Sequence, residues 1–148
     1  MAFAVGDLVW ANIHGISGVK SRACVITQIS SAVIEVVYGQ SNQWAGCTIF
    51  AHVRKGSLLG RRLQLSNDTY FCDMQAIPIG DVTKRLTENG LPSKCLLSTF
   101  PKFEAVAVEA RRRVAQQKHA KTTQGASQQV QGQQQQTKAT VSDDPTDD

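Results

Sequence analysis

The chain has 148 residues, with 16 Lys and Arg against 12 Asp and Glu, so its formal net charge is +4. No run of residues approaches the ~20 apolar residues that a membrane-spanning helix needs. The first residues also lack the basic and apolar regions of a secretory signal peptide. We therefore expect a cytoplasmic protein with one domain of ordinary size.

Folded structure is expected within residues 3–114, which also carry the basic excess. This part holds 13 Lys and Arg against 8 Asp and Glu, a balance of +5 that favours an anionic partner such as RNA or DNA. Residues 116–136 contain ten glutamines, and no aromatic residue follows Phe103. Such a composition cannot bury enough apolar surface to offset the entropy of ordering. Residues 115–148 are therefore predicted to form a disordered Gln-rich tail.

Short apolar strands separated by polar turns are predicted over the first half of the chain. Residues 8–11 form the first strand, and a polar loop over residues 12–19 leads to the second. The pair Ser30-Ser31 is typical of a tight turn, so the second and third strands are expected to form a hairpin. From the second strand onward, extended segments are predicted at residues 23–29, 32–38, 47–53, 69–74 and 76–79.

Helical periodicity is expected after the last of these strands. Residues 79–86 are predicted to form one or two helical turns that end at Asn89-Gly90. Ser93 is suited to cap a further short turn, and residues 103–114 place apolar side chains at the spacing of an amphipathic helix. The fold class is thus mainly β with short helices: a small SH3-like barrel closed by a C-terminal helix.

The four cysteines do not have the spacing of a metal site. They stand at positions 24, 47, 72 and 95, whereas a zinc site normally contains at least one closely spaced pair. Free thiols in a reducing compartment are expected. The sequence predicts neither a metal nor another cofactor.

Polar residues that suit a polyanion gather around the first two strands. Lys20 and Arg22 precede the second strand, and His14 lies in the predicted loop. Lys20 is suited to contact a phosphate, and His14 to transfer a proton. The alternatives are that His14 is a surface loop residue, that Lys20 only solvates the loop, and that Arg22 is a solvated edge charge. The basic pairs at residues 54–55 and 61–62 either line an RNA groove or are ordinary exposed pairs, and the second interpretation is favoured.

Four segments, taken in order, resemble the PemK/MazF family of toxins. The family opens with a Gly-Asp strand, seen here at residues 6–10, and continues through a flexible loop into an apolar strand that begins with Arg, seen here at residues 20–26. Residues 65–73 resemble the family's polar turn before a Ser/Thr-aromatic segment. Residues 76–97, with Gly90-Leu91, resemble its closing region. The resemblance covers roughly residues 5–112.

The resemblance implies a function and a catalytic pair. Family members are SH3-like barrels, usually homodimeric and cytoplasmic, and many are sequence-selective endoribonucleases of toxin–antitoxin pairs. They need no metal because the RNA 2′-hydroxyl is the nucleophile. Arg22 and Ser41 match the catalytic Arg and Ser, while Lys20, His14 and Gln40 are the predicted RNA-binding residues. The expected partners are RNA, a cognate antitoxin and a second copy of the chain.

A second group of small barrels offers an alternative in which nothing is cut. Residues 6–11 together with residues 36–39 resemble PWWP and Tudor-like modules, which bind methylated ammonium groups in an aromatic cage. The Trp-Pro pair of those modules is absent here, which leaves Trp10, Tyr38 and Trp44 to build a cage. A degenerate barrel of the toxin type is a further alternative, because Ala23 replaces the family's Pro and Gln40 its frequent Thr. Ser41 would then be a turn residue.

Overall fold

The structure is a computed structural model that describes the backbone of residues 2–131 and the side chains of residues 2–117. Within that part the chain forms eight strands and two α-helices, with one turn of 3-10 helix at Ile79–Asp81. The elements are β1 (Leu8–Gly15), β2 (Gly18–Ile29), β3 (Val33–Gln40), β4 (Ala51–Val53), α1 (Leu58–Arg62), β5 (Thr69–Pro78), β6 (Val82–Arg85), β7 (Thr87–Glu88), β8 (Leu91–Pro92) and α2 (Phe100–Gln131).

Six of the strands form one sheet in the order β4-β5-β3-β2-β1-β6, and β7 and β8 form a separate two-stranded hairpin. Every neighbouring pair in the large sheet is antiparallel. The predicted hairpin of the second and third strands is confirmed, with Cys24 opposite Tyr38. A mainly β fold with a C-terminal helix is therefore confirmed.

The first hairpin is longer than the sequence predicts. Residues 12–19 were expected to form a loop, but β1 continues to Gly15 and β2 begins at Gly18. Cross-strand pairing runs without interruption from Leu8 to Gly15, and only two residues remain at the tip. Gly18 has a φ of +120°, a conformation that glycine adopts without the steric cost of a Cβ. The loop prediction was wrong because ladder hydrogen bonds outweigh the polar composition of the segment.

The helical prediction for residues 79–86 was also wrong. Only Ile79–Asp81 are helical, and the next four residues form β6 along the edge of β1, with Trp10 opposite Lys84. An isolated helix of one or two turns gains few hydrogen bonds for its entropic cost. The open edge of β1 supplies backbone partners at once, so the segment extends.

The sequence did not predict α1, although its start is encoded locally. Ser57 is the N-cap residue, and its Oγ accepts a hydrogen bond from the Gly60 N–H at 3.0 Å. Leu59 and Leu63 are buried and belong to the core below the helix. These two leucines thus hold the helix against the core.

Apolar side chains are buried in two separate clusters, to which alternate residues of β1 and β2 contribute. This alternation follows from the two-residue period of a strand, so both faces of the sheet carry buried side chains. Cluster one includes Leu8, Val25, Val37, Phe71 and Phe103, together with residues of both helices; cluster two consists of Val9, Ala11, Ile13, Cys24, Ile26, Ile34, Val36 and Ile77.

The C-terminal helix is longer than predicted at both ends. The prediction covered residues 103–114, whereas α2 spans Phe100–Gln131. Disorder was predicted from residue 115, but Ala, Gln and Lys are good helix formers, and no Pro interrupts the segment up to Gln131. The rest of the predicted tail, residues 132–148, lies outside the described residues. The chain divides into two compact units after Ala110, and Phe103, Val106 and Ala110 of the first unit are buried.

Candidate functional site

One cavity brings together both predicted catalytic residues. It has a volume of about 140 Å³ and lies where β2 and β3 meet the turn before β5. Arg22 comes from β2, and Gln40 and Ser41 come from the end of β3. The opposite wall consists of residues 65–69, which supply hydroxyl, amide and carboxylate groups. The lining is therefore mostly polar, with one permanent cation.

Arg22 is positioned by the strand pairing and by one hydrogen bond. It lies opposite Ala11 in the β1–β2 ladder and is partly buried. Its Nη1 donates to the carbonyl oxygen of Gly39 at 3.1 Å. A guanidinium has five N–H donors in a planar fork, so this bond orients the group and leaves other donors for a ligand.

The loop that carries Ser41 is fixed on both sides to Cys72 of β5. Before Ser41, the Gln40 Nε2 donates to the Cys72 Sγ at 2.9 Å. After it, the Trp44 Nε1 donates to the Cys72 carbonyl oxygen at 2.9 Å. Ser41 itself is exposed at the cavity. Sequence reasoning missed Trp44 and Cys72 as anchors, because 28 residues separate them in the chain.

Tyr38 and Asp73 extend the polar environment of Arg22. They lie opposite each other in the β3–β5 ladder. Burial, followed by the neighbouring Asp73 carboxylate, raises the pKa of the Tyr38 hydroxyl to about 12, although the Arg22 charge opposes this shift. Like an ordinary tyrosine, Tyr38 is protonated at neutral pH, and the raised pKa keeps it a hydrogen-bond donor at more alkaline pH as well. No local feature of the sequence predicts this pair.

His14 and Lys20 do not line the cavity that contains Arg22. The exposed His14 ring contacts Asp81, with 3.0 Å between Nε2 and Oδ2, and its backbone exchanges two hydrogen bonds with the Gln75 side chain. Lys20 is exposed opposite Ile13 in the first hairpin. Their predicted contacts with RNA would have to be made along the hairpin, outside the cavity.

The three aromatic residues of the alternative cage have separate environments. Trp10 packs against cluster one and donates from Nε1 to the Leu63 carbonyl oxygen at 2.8 Å. Tyr38 packs against cluster two, and Trp44 is bonded to Cys72. This placement does not favour an ammonium cage.

The basic pairs are partly engaged in structural contacts. Arg61 donates to the Gly56 carbonyl oxygen at 2.8 Å, and Arg62 contacts both Glu88 and the Lys94 carbonyl oxygen. Arg54 and Lys55 are exposed directly after β4. The first pair is therefore largely structural, whereas the second remains accessible to an anion.

Gly39 permits the close approach of β3 and β5 at the cavity. A Cβ at this position would lie 2.4 Å from Thr69 Cγ2 and 3.1 Å from the ring of Phe71. Phe71 is fully buried, so it has little room to move.

We expect Gly39→Ala to lower the free energy of unfolding by about 1–3 kcal/mol, the usual cost of overpacking. Urea denaturation measures the change. Gly56→Ala is the matched control, because a Cβ there has no heavy atom within 4 Å. Equal stability of the two variants would contradict the close approach.

The thiols and acidic side chains form no metal centre in the described residues. All four cysteines keep their thiols, and burial raises the pKa values of Cys24 and Cys95, which makes these two unreactive. No group of three His, Cys, Asp or Glu side chains in this part of the chain could hold a metal ion. None of the helices within residues 2–131 combines the length and apolar character that crossing a membrane requires.

Comparison with known proteins assigns no family. No protein-family model matches the chain, and no curated protein matches it significantly.

Proposed function

We propose that this chain is an SH3-like barrel of the PemK/MazF type and acts as a metal-independent endoribonuclease on single-stranded RNA. The observation that carries the proposal is the placement of Arg22 and Ser41 in one cavity, although 19 positions separate them in the chain. Curling of the sheet into a barrel is supported by cluster two, whose buried side chains come from β1, β2, β3 and β5 and are packed together without a residue of either α-helix.

The chemistry follows from the nucleophile that RNA itself carries. The 2′-hydroxyl oxygen attacks the adjacent phosphorus, and the bond from phosphorus to the 5′-oxygen breaks. The 2′-hydroxyl gives up its proton to water, and the leaving 5′-oxygen takes a proton from water. The products are a 2′,3′-cyclic phosphate and a new 5′-hydroxyl, so the phosphate remains a diester. Charge builds on the phosphoryl oxygens in the transition state, where a planar guanidinium donates two hydrogen bonds. Arg22 performs this task in the proposal, and Ser41 positions the phosphate.

The biological setting proposed is a toxin–antitoxin pair in the cytoplasm. The toxin would act as a homodimer and be inhibited by its cognate antitoxin. The basic excess of residues 3–114 supports an anionic substrate. Two exposed apolar side chains, Ile16 at the hairpin tip and Leu97 before α2, are available for protein contacts.

A non-catalytic binding module is the second candidate. The observation in its favour is local: Ala23 and Gln40 line the cavity at positions where the family has Pro and often Thr. Gln40 is turned toward Cys72 by its hydrogen bond, so its amide nitrogen is already committed. Such a barrel would bind RNA or a protein and leave the phosphodiester intact.

The deciding experiment is cleavage of RNA by the purified full-length protein. We expect cleavage of a mixed-sequence single-stranded RNA, with cyclic-phosphate and 5′-hydroxyl ends, and the same rate in the presence of EDTA. DNA of the same sequence should remain intact, because it lacks the nucleophile. Binding of the RNA without cleavage would favour the non-catalytic module instead.

A further inference from the structure

An aromatic stack lies at the edge of the sheet beside the cavity. His52 in β4 is opposite Tyr70 in β5, and their rings are stacked with 4.3 Å between centroids and 17° between planes. The Phe50 ring contacts the same Tyr70 at 5.9 Å in a tilted arrangement. We call these three residues the edge stack.

The edge stack is open to solvent. His52 is exposed, and Phe50 is 38% exposed. Tyr70 is partly buried, and its ring contacts both His52 and Phe50. β4 stands at one end of the six-stranded sheet, so a ligand can approach the rings from the side. A flat aromatic group would find a preformed surface there.

The edge stack is continuous with the cavity through two strands. Tyr70 lies opposite Gln40, so Gln40, Tyr70 and His52 form one row across β3, β5 and β4. Gln40 lines the cavity, and two strand spacings bring the row to the sheet edge at about 10 Å. A second link joins the end of β4 to the cavity. The backbone N–H of Lys55 donates to Oδ1 of Asp68, another cavity residue, at 3.0 Å.

We propose that the edge stack binds an unpaired base of the RNA whose backbone passes through the cavity. The inference rests on the proposed function for the identity of the polymer. Bases stack on aromatic side chains with little dependence on sequence, because every base has a π-face. Arg54 and Lys55, exposed at the end of β4, supply positive charge for the neighbouring phosphates. This combination of open rings and adjacent cations favours RNA over an apolar peptide.

The test is a binding measurement with a probe that cannot be cut. The probe is a short fluorescein-labelled 2′-O-methyl RNA, in which the nucleophile is blocked, and the readout is fluorescence anisotropy with the full chain. We expect His52→Ala and Tyr70→Leu each to raise the Kd about 5-fold or more. Ile49→Ala is the matched control. Ile49 lies next to Phe50 in the segment before β4 and is 39% exposed, but its side chain has no ring.

A second probe isolates the base from the phosphates. An abasic ribose-phosphate oligomer of the same length retains the charge and loses the π-faces. We expect the wild-type protein and both ring variants to bind this oligomer equally. A ring variant that weakens binding of the abasic oligomer as much as that of the RNA would overturn the proposal.

The outcomes separate this inference from the proposed function. If the wild type cuts RNA and the ring variants bind the 2′-O-methyl probe unchanged, the edge stack has no role in RNA binding and the ribonuclease proposal stands. If the wild type binds the probe, cuts nothing and loses affinity in the ring variants, the inference holds and the catalytic proposal fails. If the wild type binds no RNA, both the ribonuclease proposal and the base-stacking inference fail, and a protein partner becomes the candidate ligand of the edge stack.

Discussion

Replacement of Arg22 by Ala should lower the rate of RNA cleavage by about 10²-fold or more, the usual cost of losing a preorganised transition-state donor. The guanidinium is held at the cavity by its bond to the Gly39 carbonyl oxygen, so it is in place before the phosphate arrives. The loss should appear in kcat more than in KM, because the charge that Arg22 stabilises develops in the transition state. Single-turnover cleavage of the mixed-sequence RNA measures the rate.

Two further variants define the role of the Arg22 side chain. Arg22→Lys should restore little of the rate, because an ammonium cannot hold two phosphate oxygens in one plane. Lys102→Ala removes an exposed cation from α2, far along the chain from the cavity residues, and should leave the rate unchanged. Equal cleavage by the wild type and Arg22→Ala would remove the catalytic proposal, provided that thermal melting shows both proteins folded.

The strands with β-branched residues could be predicted from the sequence, because their signal is local. β3 contains four Val and Ile residues and folds where predicted, with a tight turn from β2. β6 could not be predicted, since its four residues become a strand only by pairing with β1. The sequence near Ser57 does contain a helix cap, but α1 has only five residues and hence no periodicity to recognise.

The candidate site was predictable where it follows strand ends and unpredictable where it depends on distant residues. Arg22 lies in β2 two residues before Cys24, Cys24 is opposite Tyr38, and Ser41 directly follows β3, so the proximity of Arg22 and Ser41 follows from the hairpin. The wall at residues 65–69 and the anchoring of Trp44 on Cys72 depend on β5, which pairs with β3 only in the folded chain. His14 was predicted to lie in a loop and to bind RNA. In the structure it lies in β1, and its side chain contacts Asp81.

Asp7 shows most clearly how a local motif can hide a long-range role. In the sequence it belongs to a Gly-Asp turn before the first strand. In the structure its carboxylate is fully buried and contacts Lys94 through Oδ1 and Arg85 through Oδ2, the latter at 2.9 Å. Oδ2 also accepts the Ala4 N–H at 2.9 Å. These cations are 87 and 78 residues away, so no sequence window contains the cluster.

Replacement of Asp7 by Ala should lower the free energy of unfolding by about 3–5 kcal/mol, the usual cost of removing one partner of a buried ion pair. The reason is that Arg85, whose side chain is 20% exposed, would keep its charge without the carboxylate that compensates it. The variant would also lose a contact that joins the start of β1 to β6 and to the segment before α2. Urea denaturation followed by circular dichroism measures the change.

Asp81→Ala is the control for the Asp7 prediction. It also removes a carboxylate from a side-chain contact, but the His14 partner is 56% exposed, and such surface contacts contribute only about 0–1 kcal/mol. We therefore expect the Asp7 variant to lose several times more stability than the Asp81 variant. The difference should persist at high salt, because buried charges are screened much less than exposed ones. Similar losses in the two variants would show that the buried cluster around Asp7 does not stabilise the fold.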